Sequence, residues 1–197
     1  MAFLGFRGEP PIPDALKPLR ASIVDEPPFV SGTLPLPPDL FTLYYHADAT
    51  DTTRRIDLAR ASPDELAALA HACQPATFGL GQKDVLDETY RKAAKMDAAA
   101  FATPLVPERT ALLDIVRGHL LQGVESARPI RVELYKLNVY GEGAFFKAHV
   151  DTPRSKSMFG SLVVVFPTDH EGGTLTFRHG RETWDFDSSR ALSDDRA

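Results

Sequence analysis

The sequence predicts an α+β fold, with helices packed on one side of an antiparallel β-sandwich or jelly roll. Three observations lead there. Helix signals concentrate between residues 62 and 121, short β-rich runs dominate from residue 131 onward, and glycine-rich turns separate those runs. The composition is that of a globular chain: 197 residues, 43% hydrophobic and 25% charged. That length suits one domain with a sizeable core.

Nine of the 16 prolines fall between residues 10 and 38. Each removes a backbone donor and fixes φ, so residues 1–38 read as a proline-rich N-terminal arm, partly extended, that wraps the domain or stays mobile. Residues 39–128 read as a mostly helical support region. A short strand is expected over 40–45. Ser62-Pro63-Asp64-Glu65 then starts a helix: Ser62 caps it, Pro63 suits the first turn and Glu65 completes a capping box. Leu66, Leu69, Ala70 and Cys73 follow at helical spacing, which places Cys73 in the helix as a small hydrophobe. An alanine-, lysine- and glutamate-rich stretch predicts a second helix over 87–100. A third is expected over 108–121, with Leu112, Ile115, Val116, His119 and Leu120 on one side.

Residues 129–197 are the β-rich part. Strands are expected over 131–140, 161–166, 174–177 and 182–186, the second of them buried, with turns at Gly141-Glu142-Gly143 and Gly172-Gly173. The polar stretch 187–197 reads as coil.

Charge and targeting narrow the function classes. The net charge of −5 and pI near 5.7 leave no electrostatic footprint for nucleic acid. The longest apolar run, 162–166, is far short of a membrane span. Residues 1–13 lack the basic patch and apolar stretch of a secretory signal, and the single cysteine rules out an intramolecular disulfide. An intracellular, cytoplasmic protein is expected.

The chemistry concentrates in Tyr140-Gly-Glu-Gly-Ala-Phe-Phe-Lys-Ala-His149-Val-Asp151. On an extended strand, residues i and i+2 share a face. His149 and Asp151 can therefore aim an imidazole nitrogen and a carboxylate oxygen at one metal ion. With one more histidine they would make the facial triad of non-haem iron(II) oxygenases, which leaves three positions open on the metal. The triplet alone is weakly specific, because His46-Ala47-Asp48 repeats it. Only the first copy has a glycine-turn approach; the second reads as a strand end entering a polar loop.

Context extends the signature. Tyr140-Gly141-Glu142-Gly143 precedes His149-Val150-Asp151, the apolar stretch 159–166 follows, and Gly172-Gly173-Thr174-Leu175 turns into the next strand. This arrangement resembles the prolyl 4-hydroxylase-like family of iron(II)/2-oxoglutarate-dependent dioxygenases, and 134–180 is similar to uncharacterised fungal and microbial members. The resemblance implies a double-stranded β-helix (jelly roll), of which 129–197 would be the N-terminal half. It also implies Fe(II) as cofactor, held by His149 and Asp151, with 2-oxoglutarate as cosubstrate contacted by Tyr140. Phe146 replaces the family's usual tyrosine, and Leu175 stands where many members place a threonine.

The family's third ligand is a histidine on a later strand, followed by an arginine or lysine that holds the 2-oxoglutarate carboxylate. Only His170 and His179 follow Asp151, neither in that context, and the chain ends 46 residues after Asp151. The sequence thus reads as a truncated member, its helices packed on an incomplete double-stranded β-helix. Three functions compete. The first is a dioxygenase that hydroxylates a protein or small-molecule substrate. The second is a non-catalytic relic or interaction protein that keeps part of the oxygenase fold. The third is another metal-binding jelly roll that recruits His170 or His179.

Overall fold

Strand β1 (Thr42–Ala47) organises the core, because Leu43, Tyr45 and Ala47 alternate inward while Tyr44 faces solvent. It pairs antiparallel with β2 (Thr52–Asp57), which sets Leu43 opposite Ile56, the two largest fully buried side chains. The computed structural model describes residues 13, 27–47, 52–80, 83–121 and 123–194. Helix α1 (Pro63–His71) lays Leu69 onto this pair. Its capping box is complete: Ser62 Oγ accepts from the Glu65 amide at 3.3 Å, and the Ser62 amide donates to Glu65 Oε2 at 2.8 Å. The helix stops at His71, so Cys73 lies just past its end, partly buried against the same core.

The next strands are short: β3 (Gln74–Pro75), β4 (Phe78–Leu80), β5 (Lys83–Val85), β6 (Arg91–Lys92), β7 (Ala94–Asp97) and β8 (Phe101–Ala102). The helix expected over 87–100 does not form. Asp87 Oδ1 instead accepts from the amide and hydroxyl of Thr89 at 2.8 and 2.7 Å, closing a turn. These bonds hold the Asp87 carboxyl below its usual range. Beyond the turn, β7 pairs with β3 on one side and β9 (Lys136–Val139) on the other, burying Met96. Tertiary pairing has overridden alanine's helix propensity. The third expected helix is present but shorter, as α2 (Leu112–Leu120), and none of its residues is buried.

After β9 come β10 (Phe145–Phe146), which pairs with β6, and the hairpin of β11 (Leu175–His179) with β12 (Glu182–Phe186). The stretch 161–166, expected as a buried strand, is not one. It has no strand partner among the described residues, and Leu162, Val163, Val164 and Val165 are 41%, 67%, 38% and 41% exposed. Its far end is anchored: Phe166 packs on the core and Thr168 Oγ1 donates to the Leu58 carbonyl at 3.1 Å. The expected coil over 187–197 instead begins with helix α3 (Ser188–Asp194), whose start is held by Ser189 bonds to Asp187 Oδ1.

The described residues thus give an α+β architecture of three helices and five small antiparallel sheets. No jelly roll is evident among them. Of the 1–38 arm, residues 1–12 and 14–26 lie outside the described residues. Phe29 wraps onto the hairpin, stacking on Phe177 at 4.2 Å and meeting Trp184 edge-on at 5.4 Å. Among the described residues no helix is long and apolar enough to cross a membrane.

Candidate functional site

The approach to His149 starts at the glycine turn. Gly143 adopts φ +64°, and the Ala144 amide donates to the Gly141 carbonyl at 3.0 Å, turning the chain into β10. Strand β10 sets Phe146 opposite Arg91. Beyond it, Tyr90 moors the chain twice: its carbonyl accepts from the Lys147 amide at 3.0 Å and its hydroxyl donates to the Ala148 carbonyl at 2.9 Å. His149 and Asp151 therefore lie past the end of β10, in a tethered but irregular stretch rather than on the expected strand.

The two side chains nonetheless converge. His149 Nδ1 is 2.8 Å from the Lys147 carbonyl oxygen, which can only accept, so Nδ1 is the donor of that contact. Nε2 lies on the other side of the ring, 3.6 Å from Asp151 Oδ1. The separation is too long for a hydrogen bond. It is about 0.6 Å wider than the roughly 3.0 Å that two donors about 2.1 Å from one metal keep at a 90° angle, so the two groups would close slightly on a shared ion. Ser161 Oγ donates to the other carboxylate oxygen, Oδ2, at 2.6 Å. Both side chains reach solvent, being 35% and 59% exposed.

The imidazole is also held from its face. Phe146 stacks on it with centroids 3.6 Å apart and planes within 20°. The same phenyl ring receives the Arg91 guanidinium at 4.4 Å, while Tyr90 meets it edge-on at 5.9 Å. Arg91 is 5% exposed and joins three segments: Nη1 donates to the Thr77 carbonyl at 2.7 Å and Nη2 to Asn138 Oδ1 at 2.8 Å. Its Nε is buried without a hydrogen-bond partner among the described residues.

The other sequence candidates are elsewhere. Tyr140 is 49% exposed, and no hydrogen bond or ring contact joins it to the pair among the described residues. His170 is engaged at both nitrogens, Nδ1 by the Thr168 carbonyl at 2.8 Å and Nε2 by the buried Ser188 hydroxyl at 3.0 Å. It ties the loop to the start of α3. His179 is exposed at the end of β11, opposite Glu182. His46 sits on β1 opposite Thr53, while Asp48 lies outside the described residues. No group of three or more histidine, cysteine, aspartate or glutamate side chains could hold a metal among the described residues. Cys73 lines a groove with Glu88, Lys92 and Glu142 that neither His149 nor Asp151 lines. Burial pushes its thiol up to about 11, which keeps it protonated and a poor nucleophile at neutral pH.

Sequence reasoning passed over Ser161, Tyr90 and Arg91. The signal for Ser161 was a hydroxyl at the mouth of an apolar run. Tyr90 and Arg91 were hidden in a stretch read as helix. One imidazole and one carboxylate suit a divalent first-row metal and supply two of the three ligands of a facial triad. Compared with family models, curated proteins and solved structures, the chain matches none.

Proposed function

We propose that the chain is an iron(II)- and 2-oxoglutarate-dependent dioxygenase of the prolyl 4-hydroxylase-like type, with His149 and Asp151 as metal ligands. One observation carries the reading: His149 Nε2 stands 3.6 Å from Asp151 Oδ1, while hydrogen bonds to Lys147 and Ser161 fix the opposite side of each group. Such backing of both ligands is what a preorganised metal pair requires. A double-stranded β-helix belongs to the same reading, through the sequence likeness of 134–180. When bound, iron(II) and 2-oxoglutarate would let dioxygen oxidise a substrate C–H bond to C–OH, one oxygen atom entering the product and the other the succinate formed as 2-oxoglutarate loses carbon dioxide.

The chain's own residues do the positioning. Phe146 and the Lys147 carbonyl hold the imidazole in one plane with Nδ1 as the donor, and Ser161 restrains the carboxylate from rotating. Tyr140 is proposed as a cosubstrate contact on the sequence likeness alone. The test is an anaerobic titration with iron(II) or cobalt(II), then an assay of 2-oxoglutarate-dependent succinate with the iron(II) form in the presence of dioxygen. Metal binding lost in His149→Ala and Asp151→Ala is expected; turnover that survives both substitutions would sink the assignment.

A second reading, a non-catalytic relic or interaction protein that keeps part of the oxygenase fold, is favoured by the two-donor set, because a pair of ligands leaves more of the ion to water. Metal binding without succinate would select it.

A further inference from the structure

We propose that the apolar run 161–166 pairs antiparallel with the same run of a second copy of this chain, making a twofold dimer. The run Ser161-Leu-Val-Val-Val-Phe166 has the β-branched composition of a strand interior. Residues 161–165 make no backbone–backbone hydrogen bond with any described residue. Their amides and carbonyls are a template for another strand, and four consecutive apolar side chains beside them face solvent.

Charge selects the second copy as the occupant. The chain carries a net charge of −5, so two copies repel unless they meet on a neutral face. Residues 157–168 contain no charged side chain. The flanks are opposite in sign: exposed Arg154 and Lys156 precede the run, and exposed Asp169 and Glu171 follow it. A twofold axis at Val163 would set Val163 against its own copy and Leu162 against Val164. It would also direct the basic flank of each copy toward the acidic flank of the other, Lys156 toward the stretch from Asp169 to Glu171. Parallel pairing would align like charges. The surface is thus self-complementary in the antiparallel sense, as an isologous interface must be.

A single strand pair is a small interface, so dimerisation should depend on concentration. The test is sedimentation velocity of the full chain across the micromolar range, independent of metal or cosubstrate. A monomer–dimer shift is expected, abolished by Val163→Lys. That side chain is 67% exposed, so the substitution leaves the fold intact by circular dichroism. Lys156→Glu should weaken association about tenfold, and adding Glu171→Lys should restore it. A chain that stays monomeric throughout would overturn the proposal and leave the run to a strand from another protein. So would a dimer indifferent to both Val163→Lys and the charge reversal.

Discussion

Ser161 Oγ donates a 2.6 Å hydrogen bond to Asp151 Oδ2, which fixes the carboxylate so that Oδ1 is the oxygen facing His149 Nε2. Each donor of the pair is thereby held by an atom that would not touch a metal. A free carboxylate rotates about its terminal torsion, so losing this bond costs orientation rather than charge.

Ser161→Ala should therefore weaken iron(II) or cobalt(II) binding about tenfold, the low end of what an outer hydrogen bond contributes to a metal site. The bond is exposed, so urea denaturation should show stability changed by less than about 0.5 kcal/mol. Affinity lost without stability lost is the signature that distinguishes orientation from folding. Unchanged affinity would mean that Ser161 does not hold the carboxylate in solution.

Leu43→Ala should be among the most damaging single changes. Leu43 is 0% exposed and faces Ile56 at 1% across β1 and β2. The substitution should cost about 3 kcal/mol, measured by urea denaturation. That is a large share of the roughly 5–15 kcal/mol typical of a folded domain. The equivalent change at Val163, which is 67% exposed, should shift stability only slightly.

What was legible in the sequence was local, and what was not depended on distant partners. The Ser62 and Glu65 box lies within four residues, so its chemistry is written in the order of the chain. The strands expected over 174–177 and 182–186 form for the same reason, the first as 175–179, since a turn at Gly180 joins them directly. Residues 91–97 look helical by composition, and pairing with 74–75, 136–139 and 145–146, some 20 to 55 residues away, makes them strands. The metal pair shows both cases. His149 and Asp151 were found by their spacing, but Tyr90, which moors them, acts across 58 residues. The run 161–166 misled because strand composition does not supply a partner strand.

The α1 cap gives a stability term with a defined pH window. Hydrogen bonds from the Ser62 backbone and hydroxyl hold the Glu65 carboxyl below its usual range. A carboxyl with a folded pKa below its unfolded value stabilises the protein above the unfolded pKa. The contribution fades as pH falls through the folded pKa. Ser62→Ala should cost about 1 kcal/mol at neutral pH. Paired urea curves should show the gap between wild type and variant narrowing below about pH 4, as the glutamate is protonated in both states. A gap independent of pH would assign the whole effect to the Ser62 hydroxyl's contact with the helix amide.

His149→Ala and His170→Ala should separate the candidate metal ligand from the structural histidine. At His149 one ring nitrogen is backed by a carbonyl while the other stands open beside a carboxylate. At His170 both nitrogens are engaged, one by the Thr168 carbonyl and one by the buried Ser188 hydroxyl. His149→Ala should abolish measurable iron(II) binding while leaving hydrogen exchange in α3 unchanged. His170→Ala should leave metal affinity within about twofold and accelerate exchange across α3, because the start of that short helix loses its tie to the loop. If His170→Ala lowered metal affinity as much as His149→Ala, His170 would have to leave Ser188 and join the metal. The ligand set would then have three members, and the third competing function, a metal-binding jelly roll built on His149, Asp151 and His170, would replace the dioxygenase assignment.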